Sequence, residues 1–175
     1  MARKQTMSLN LIFIASFTIL LFTLLLTSTF AQVQRISCQS ENYSIIAPPI
    51  GWELILDQDD ILVFRNSTKE TVMTFKKMPN VFPDLETFVG DYKSNVEANG
   101  KVTVIPQGSE LINGAEALKF KLEFKEPNKL APGTQGQIYL LLINKNAYFF
   151  EAFGLGVHSE YLELFNKMAK SFKLN

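Results

Sequence analysis

Acidic residues crowd one short stretch of the chain, where Asp57, Asp59 and Asp60 follow closely on Glu53. Carboxylates so placed are the hard oxygen ligands that calcium takes. The stretch has no glycine at its turn and no distant bidentate Glu, so it is not an EF-hand loop. We read it as an Asp-rich turn between two strands, with a calcium-binding accessory role kept as an alternative. His158 is the only histidine, and any pairing of a nucleophile with a base would have to use it. Ser159 is its neighbour in sequence, which is not a hydrogen bond, and at the start of a helix His158 fits a solvent-facing or capping role better. No two carboxylates are set apart for acid and base work. The chain therefore reads as no enzyme, with no catalytic, cofactor-binding or metal residue singled out and no cofactor implied. Lys119, Lys121 and Lys125 read as a solvated strand face and not an anion site.

Cys38 is the only cysteine, which excludes an internal disulfide and a cysteine-based zinc cluster. Arg35 stands where a lipoprotein signal wants Leu, so we read Cys38 as a plain thiol near a flexible amino end. Asn42-Tyr43-Ser44 and Asn66-Ser67-Thr68 both satisfy the N-x-S/T sequon, at strand edges or turns from which a glycan could project.

The amino end decides where such residues would work. Arg3 and Lys4 precede an uncharged apolar run from Leu9 to Phe30, and Thr29-Phe30-Ala31 puts small residues three and one positions before Gln32. That is the layout of an export leader. The run also reaches the roughly 20 residues needed to cross a bilayer, so residues 1–31 read as a signal peptide or a membrane anchor. Polar residues such as Asn10, Ser16, Thr18 and Thr23 dilute the run, and cleavage after Ala31 is the reading we prefer. In either case Arg3 and Lys4 hold the short amino end inside. The rest is expected to be exported, extracellular or at the outer face of the cytoplasmic membrane, with any membrane association running through residues 9–30. Residues 32–41 read as a linker and 42–175 as the domain, so a chain starting near Glu41 is expected to fold alone.

The 17 basic residues balance 17 acidic ones, and losing Arg3 and Lys4 with the leader leaves 15 basic. No basic surplus remains to hold nucleic acid. About 140 residues follow the leader, a usual single-domain size, and 15 Phe help fill its core. Tyr43 to Ile46, Trp52 to Leu56, Ile61 to Asn66 and Thr71 to Lys77 read as short strands separated by turn residues, Pro48-Pro49-Ile50-Gly51 among them. Trp52 is expected to be a packing residue. Asp84 caps a helix to about Asn99, with Leu85, Phe88, Val89, Tyr92 and Val96 on one stripe and Gly100 ending it. Val102 to Leu111 and Ala115 to Lys125 are strands joined at Asn113-Gly114; in the second, Leu118, Phe120, Leu122 and Phe124 alternate with charged residues. Ile138 to Ile143 is apolar throughout, as a strand covered on both faces would be, and Tyr148 to Phe153 follows it. Ser159 or His158 opens a last helix with Tyr161, Leu164, Phe165, Met168 and Phe172 on its apolar side. Glu126 to Gly136 is a loop. The class is α+β, an αβα sandwich with a central antiparallel β-sheet and helices on both faces.

Three features together resemble the PsbP-like domain family. They are Tyr43-Ser44-Ile45 leading through Pro48-Pro49 to Gly51-Trp52, the Asn113-Gly114-Ala115-Glu116-Ala117 turn entering a strand, and the closing helix ending in Ser171-Phe172. The resemblance covers nearly all of residues 42–175 and implies an αβα sandwich around an antiparallel sheet. The family is named from an extrinsic subunit of photosystem II and includes exported proteins of unknown role and intracellular relatives that bind a small GTPase. It implies action by binding, as an accessory or assembly factor at a membrane complex. The amino end departs from the photosynthetic subunit: it lacks a Ser- and Arg-rich transit peptide and the long docking arm, so no functional residue is carried over.

Two function classes follow. The first is a binding or accessory module at the outer membrane face, acting through an unidentified protein partner. The alternative is a small-ligand carrier with a cavity lined by Phe149, Phe150, Phe153 and Tyr161; for those aromatics a close-packed core is the commoner arrangement.

Overall fold

The computed structural model describes residues 34–40, 42–66, 68, 71–78, 82–98, 100–124, 135–154 and 159–175. The leader, Lys125, most of the 126–136 loop and His158 lie outside them. No helix among the described residues is long and apolar enough to cross a membrane.

Among the described residues, ten strands and two helices run in the order β1 (Arg35–Ser37), β2 (Tyr43–Ile46), β3 (Glu53–Gln58), β4 (Ile61–Asn66), β5 (Thr71–Met78), α1 (Leu85–Glu97), β6 (Val102–Ile112), β7 (Ala115–Phe124), β8 (Gln135–Ile143), β9 (Asn146–Gly154), α2 (Ser159–Lys170) and β10 (Lys173–Leu174). Seven strands form one antiparallel sheet in the order β3-β4-β5-β9-β8-β7-β6. α1 packs on one face, where Phe88, Val104, Phe120, Leu122, Ile138, Leu140 and Ala147 are buried together. α2 packs on the other, with Phe165, Met168 and Ala169 against Phe75, Tyr139, Leu141 and Phe150. The αβα sandwich and its antiparallel sheet are as expected.

Local chemistry explains the well-placed elements. Asp84 accepts a hydrogen bond from the Thr87 amide at 2.7 Å and so caps α1. Gly100, at φ +69, follows its end. Asn113 and Gly114, at φ 50 and 78, form the tight turn between β6 and β7. Asn144 and Lys145, at φ 51 and 65, turn β8 into β9. Gly136 lets the Phe153 ring lie on the β8 backbone, since a Cβ there would stand 2.8 Å from two ring carbons and 3.2 Å from Leu122 Cβ. Gly136→Ala should therefore lower stability by about 1–3 kcal/mol in urea denaturation; an unchanged midpoint would show that the ring moves freely.

The amino-terminal region differs from expectation. Residues 35–37, read as linker, form β1, and β2 lies outside the main sheet, between β1 and β10 in a separate three-stranded one. Neither short strand carries a period of its own; pairing with β2 creates them. Arg35 fixes the arrangement by donating to the Ser44 carbonyl at 2.9 Å and to the Ser171 carbonyl at 2.7 Å. Cys38 is not on a flexible end but buried in the core with Tyr43 and Ile45. A lipid on Cys38 would require removal of β1. Tyr43 stitches this small sheet to the large one, its hydroxyl donating to the Phe75 carbonyl at 2.7 Å. Trp52 packs edge-on against Tyr161, ring centroids 5.8 Å apart, and is half-buried.

Candidate functional site

β3 is an edge strand. β4 pairs with one side of it, and among the described residues no strand pairs with the other. Such a strand presents a row of open backbone donors and acceptors. Its central residues Leu54, Ile55 and Leu56 are 42%, 46% and 36% exposed, and Ile50 just before it is fully exposed. Register explains why. Leu54 pairs with Phe64 and Leu56 with Val63, so Ile55 is an extra residue in a bulge. Leu54 thus lies beside Phe64 on the α2 face and Leu56 beside Val63 on the α1 face, while α1 packs over β6 and β8 at the other end of the sheet. Glu53 and Arg65, 3.3 Å apart and both exposed, border the apolar stretch at one end. At the opposite edge the exposed positions of β6 are Pro106, Gln107, Gly108, Ser109 and Leu111, with Leu111 the one large apolar side chain among them.

The acidic residues do not converge. Asp57 accepts from the Gln39 amide at 2.8 Å. Asp60 accepts from Ser40, and from Asn42 at 2.7 Å, with Lys77 3.9 Å away. These hydrogen bonds, offset in part by burial, hold the Asp60 carboxyl below the usual carboxylate range. Glu53 is turned to Arg65. Among the described residues no group of three or more His, Cys, Asp or Glu is placed to hold a metal ion. Asp57 and Asp60 instead tie the β1–β2 turn to β3 and the β3–β4 turn.

The aromatics named for a carrier are divided by the sheet. Phe149 packs on Tyr92 and Phe153 on Phe124 on the α1 side, whereas Phe150 packs on Phe75 and Phe172 on the α2 side. Four side chains on two faces do not line one cavity. An opening beside Thr71, Phe153, Gly154 and Tyr161 has a volume of ≈ 10 Å³, room for about one water.

Of the expected solvated lysines, Lys121 pairs with Glu123 at 2.7 Å. Lys119 instead lies over the Tyr139 ring, 5.4 Å from its centroid, and 3.4 Å from Glu110. Tyr139 donates to Asn166 on α2 at 2.7 Å, and Lys170 reaches Glu110 at 2.6 Å. The Lys170 hydrogen bond holds Glu110 below its usual range. This network clamps α2 to the sheet; its members are too far apart in sequence to suggest one another. Of the sequons, Asn42 is exposed, but Asn66 is buried and accepts from Thr68 at 2.8 Å, so a glycan cannot project from Asn66 in this fold.

One group is costly where it stands. Glu151 lies on the α1 face of β9, between Thr74 on β5 and Ile138 on β8. Burial pushes its carboxyl up to about 8. Tyr92 on α1 has a buried hydroxyl with no hydrogen-bond partner among the described residues. Burial, and secondarily the charge of Glu151, push that phenol well above its ordinary value.

No protein-family model matches the chain, and no curated protein sequence does. Solved structures match its shape. The cyanobacterial PsbP protein CyanoP from Synechocystis aligns with a TM-score of 0.54 at 13% identity, over 83% of this chain and 94% of that one. The Ran-binding protein Mog1p of Saccharomyces cerevisiae aligns at 0.56 and 12% identity, over 81% of this chain and 94% of its own. A point mutant of Mog1 aligns at 0.57 and 13% identity, over 81% and 95%. The chain thus has a fold of the PsbP and Mog1 type.

Proposed function

We propose that this is an exported, non-catalytic PsbP-like binding module, an accessory factor at the outer face of a membrane whose protein partner adds to the β3 edge. The observation that carries the proposal is the open strand with Leu54, Ile55 and Leu56 turned to solvent. An extended partner segment would gain backbone hydrogen bonds there and cover the side chains. Covering three such residues, each already about half-buried, contributes roughly 2–4 kcal/mol. The solved fold neighbours favour a binding role, since Mog1p is itself named for binding a protein. The leader sequence favours export, and a mature chain without basic surplus favours a protein partner over nucleic acid.

Crosslinked pull-down from intact membranes tests this. A Leu54→Asp, Leu56→Asp double variant should lose at least about tenfold of the captured partner while still unfolding cooperatively in urea, so that lost capture is not lost folding. Equal capture by the variant would overturn the assignment of β3.

A further inference from the structure

The turn between β2 and β3 carries a second exposed apolar feature, separate from the strand edge. Ile50 is fully exposed. Its exposure is built in: Pro48 and Pro49 restrict the backbone ahead of it, and Gly51 at φ +99 takes a conformation that side chains disfavour. No charged residue occurs between Tyr43 and Glu53. Behind the turn stand Trp52 and Tyr161, packed edge-on and both half-buried. Trp and Tyr are the side chains that settle at a membrane–water boundary.

The path of the chain says what covers this turn. Residues 31–34 alone separate the apolar run from Arg35, a reach of at most about 18 Å from Phe30. Where the run stays in a bilayer, that tether limits Arg35 to within about 18 Å of the hydrocarbon, of which the headgroups take up about 5–7 Å. Arg35 lies opposite Ile46 in the β1–β2 pair, and both bond to Ser171 at the end of α2. The turn bearing Ile50 leaves from Ile46, within about 14 Å of it along the chain. Arg35 and the base of the turn therefore share the α2 side of the sheet, and α1 lies on the other.

We infer that the Ala47–Gly51 turn is a lipid contact, with Ile50 seated at the boundary between headgroups and acyl chains. This rests on the proposed membrane-face role, in the form that keeps residues 9–30. The contact fixes which way the domain faces and leaves the β3 edge beside the membrane.

The full chain, reconstituted in vesicles of phosphatidylcholine and phosphatidylglycerol with brominated acyl chains, tests the inference. In a Trp52→Phe background, Ile50→Trp should be quenched at least about threefold more than Ser94→Trp, which is exposed on α1 at the far side. In the otherwise unaltered chain, quenching of Trp52 should fall on Ile50→Asp. Equal quenching at positions 50 and 94, or none at 50, overturns the inference. The vesicles hold no protein partner, so that result would leave the β3 reading standing, just as equal capture by the β3 variant would leave the lipid contact standing.

Discussion

A chain beginning at Asn42 is expected to lose its cooperative unfolding transition, whereas one beginning at Gln32 keeps it. The ten or so residues between those starts look like linker in sequence, and in the fold they are a strand, a buried thiol and an arginine clamp. Starting at Asn42 removes β1, takes Ile36 and Cys38 out of the core around Tyr43 and Ile45, and leaves the Ser44 and Ser171 carbonyls without Arg35. The buried Cys38 and the partly buried Ile36 side chain together contribute about 1.5–3 kcal/mol, and hydrogen bonds from a charged donor about 1.5–3 kcal/mol each. The sum reaches about 5 kcal/mol or more, against a net stability of roughly 5–15 kcal/mol for a domain. Circular dichroism during urea titration of the two chains would measure it. Matching midpoints would show that β1 is an ornament and that the core closes without it.

Glu151→Gln is expected to stabilise the protein, and to do so only above acid pH. The carboxyl has an ordinary value of 4.5 in the unfolded chain and is pushed up to about 8 in the folded one. Between those values folding takes up a proton, so stability is fully present below about pH 4.5 and is lost as pH rises through about 8. At 1.36 kcal/mol per unit, the ionised unfolded state is favoured by about 3 kcal/mol at pH 7. Glutamine removes that preference, so the gain should be about 2–4 kcal/mol at pH 7 and vanish near pH 4. The unaltered chain should lose stability from pH 5 to pH 8 while the variant stays flat across that window. Parallel pH profiles would mean that Glu151 finds a cation or donor in the fold.

Much of the scaffold was legible because its signals are local. Asp84 and Gly100 bracket α1, the Asn113-Gly114 pair sets the β6–β7 register, and the unbroken apolar run in β8 does lie inside the sheet, between β9 and β7. What escaped depends on distant partners. β1 and β10, of 3 and 2 residues, exist only through β2. The clamp among Tyr139, Asn166, Glu110 and Lys170 joins three separate elements. The candidate site was the least visible part, because Leu54-Ile55-Leu56 has the composition of a buried strand, and only its place at the end of the strand order exposes it. Glu151 did leave a trace, as the one charge within Tyr148 to Phe153.

The claim that β3 is the binding edge is tested most directly by photo-crosslinking in intact cells, with a photoreactive amino acid placed at Ile55 in one strain and at Leu111 in another. Leu111 is 74% exposed on β6, the opposite edge, so it controls for bare apolarity. A discrete protein adduct from position 55 and none from position 111 is the predicted result. Adducts from position 111 alone, or the same adducts from both, would contradict it.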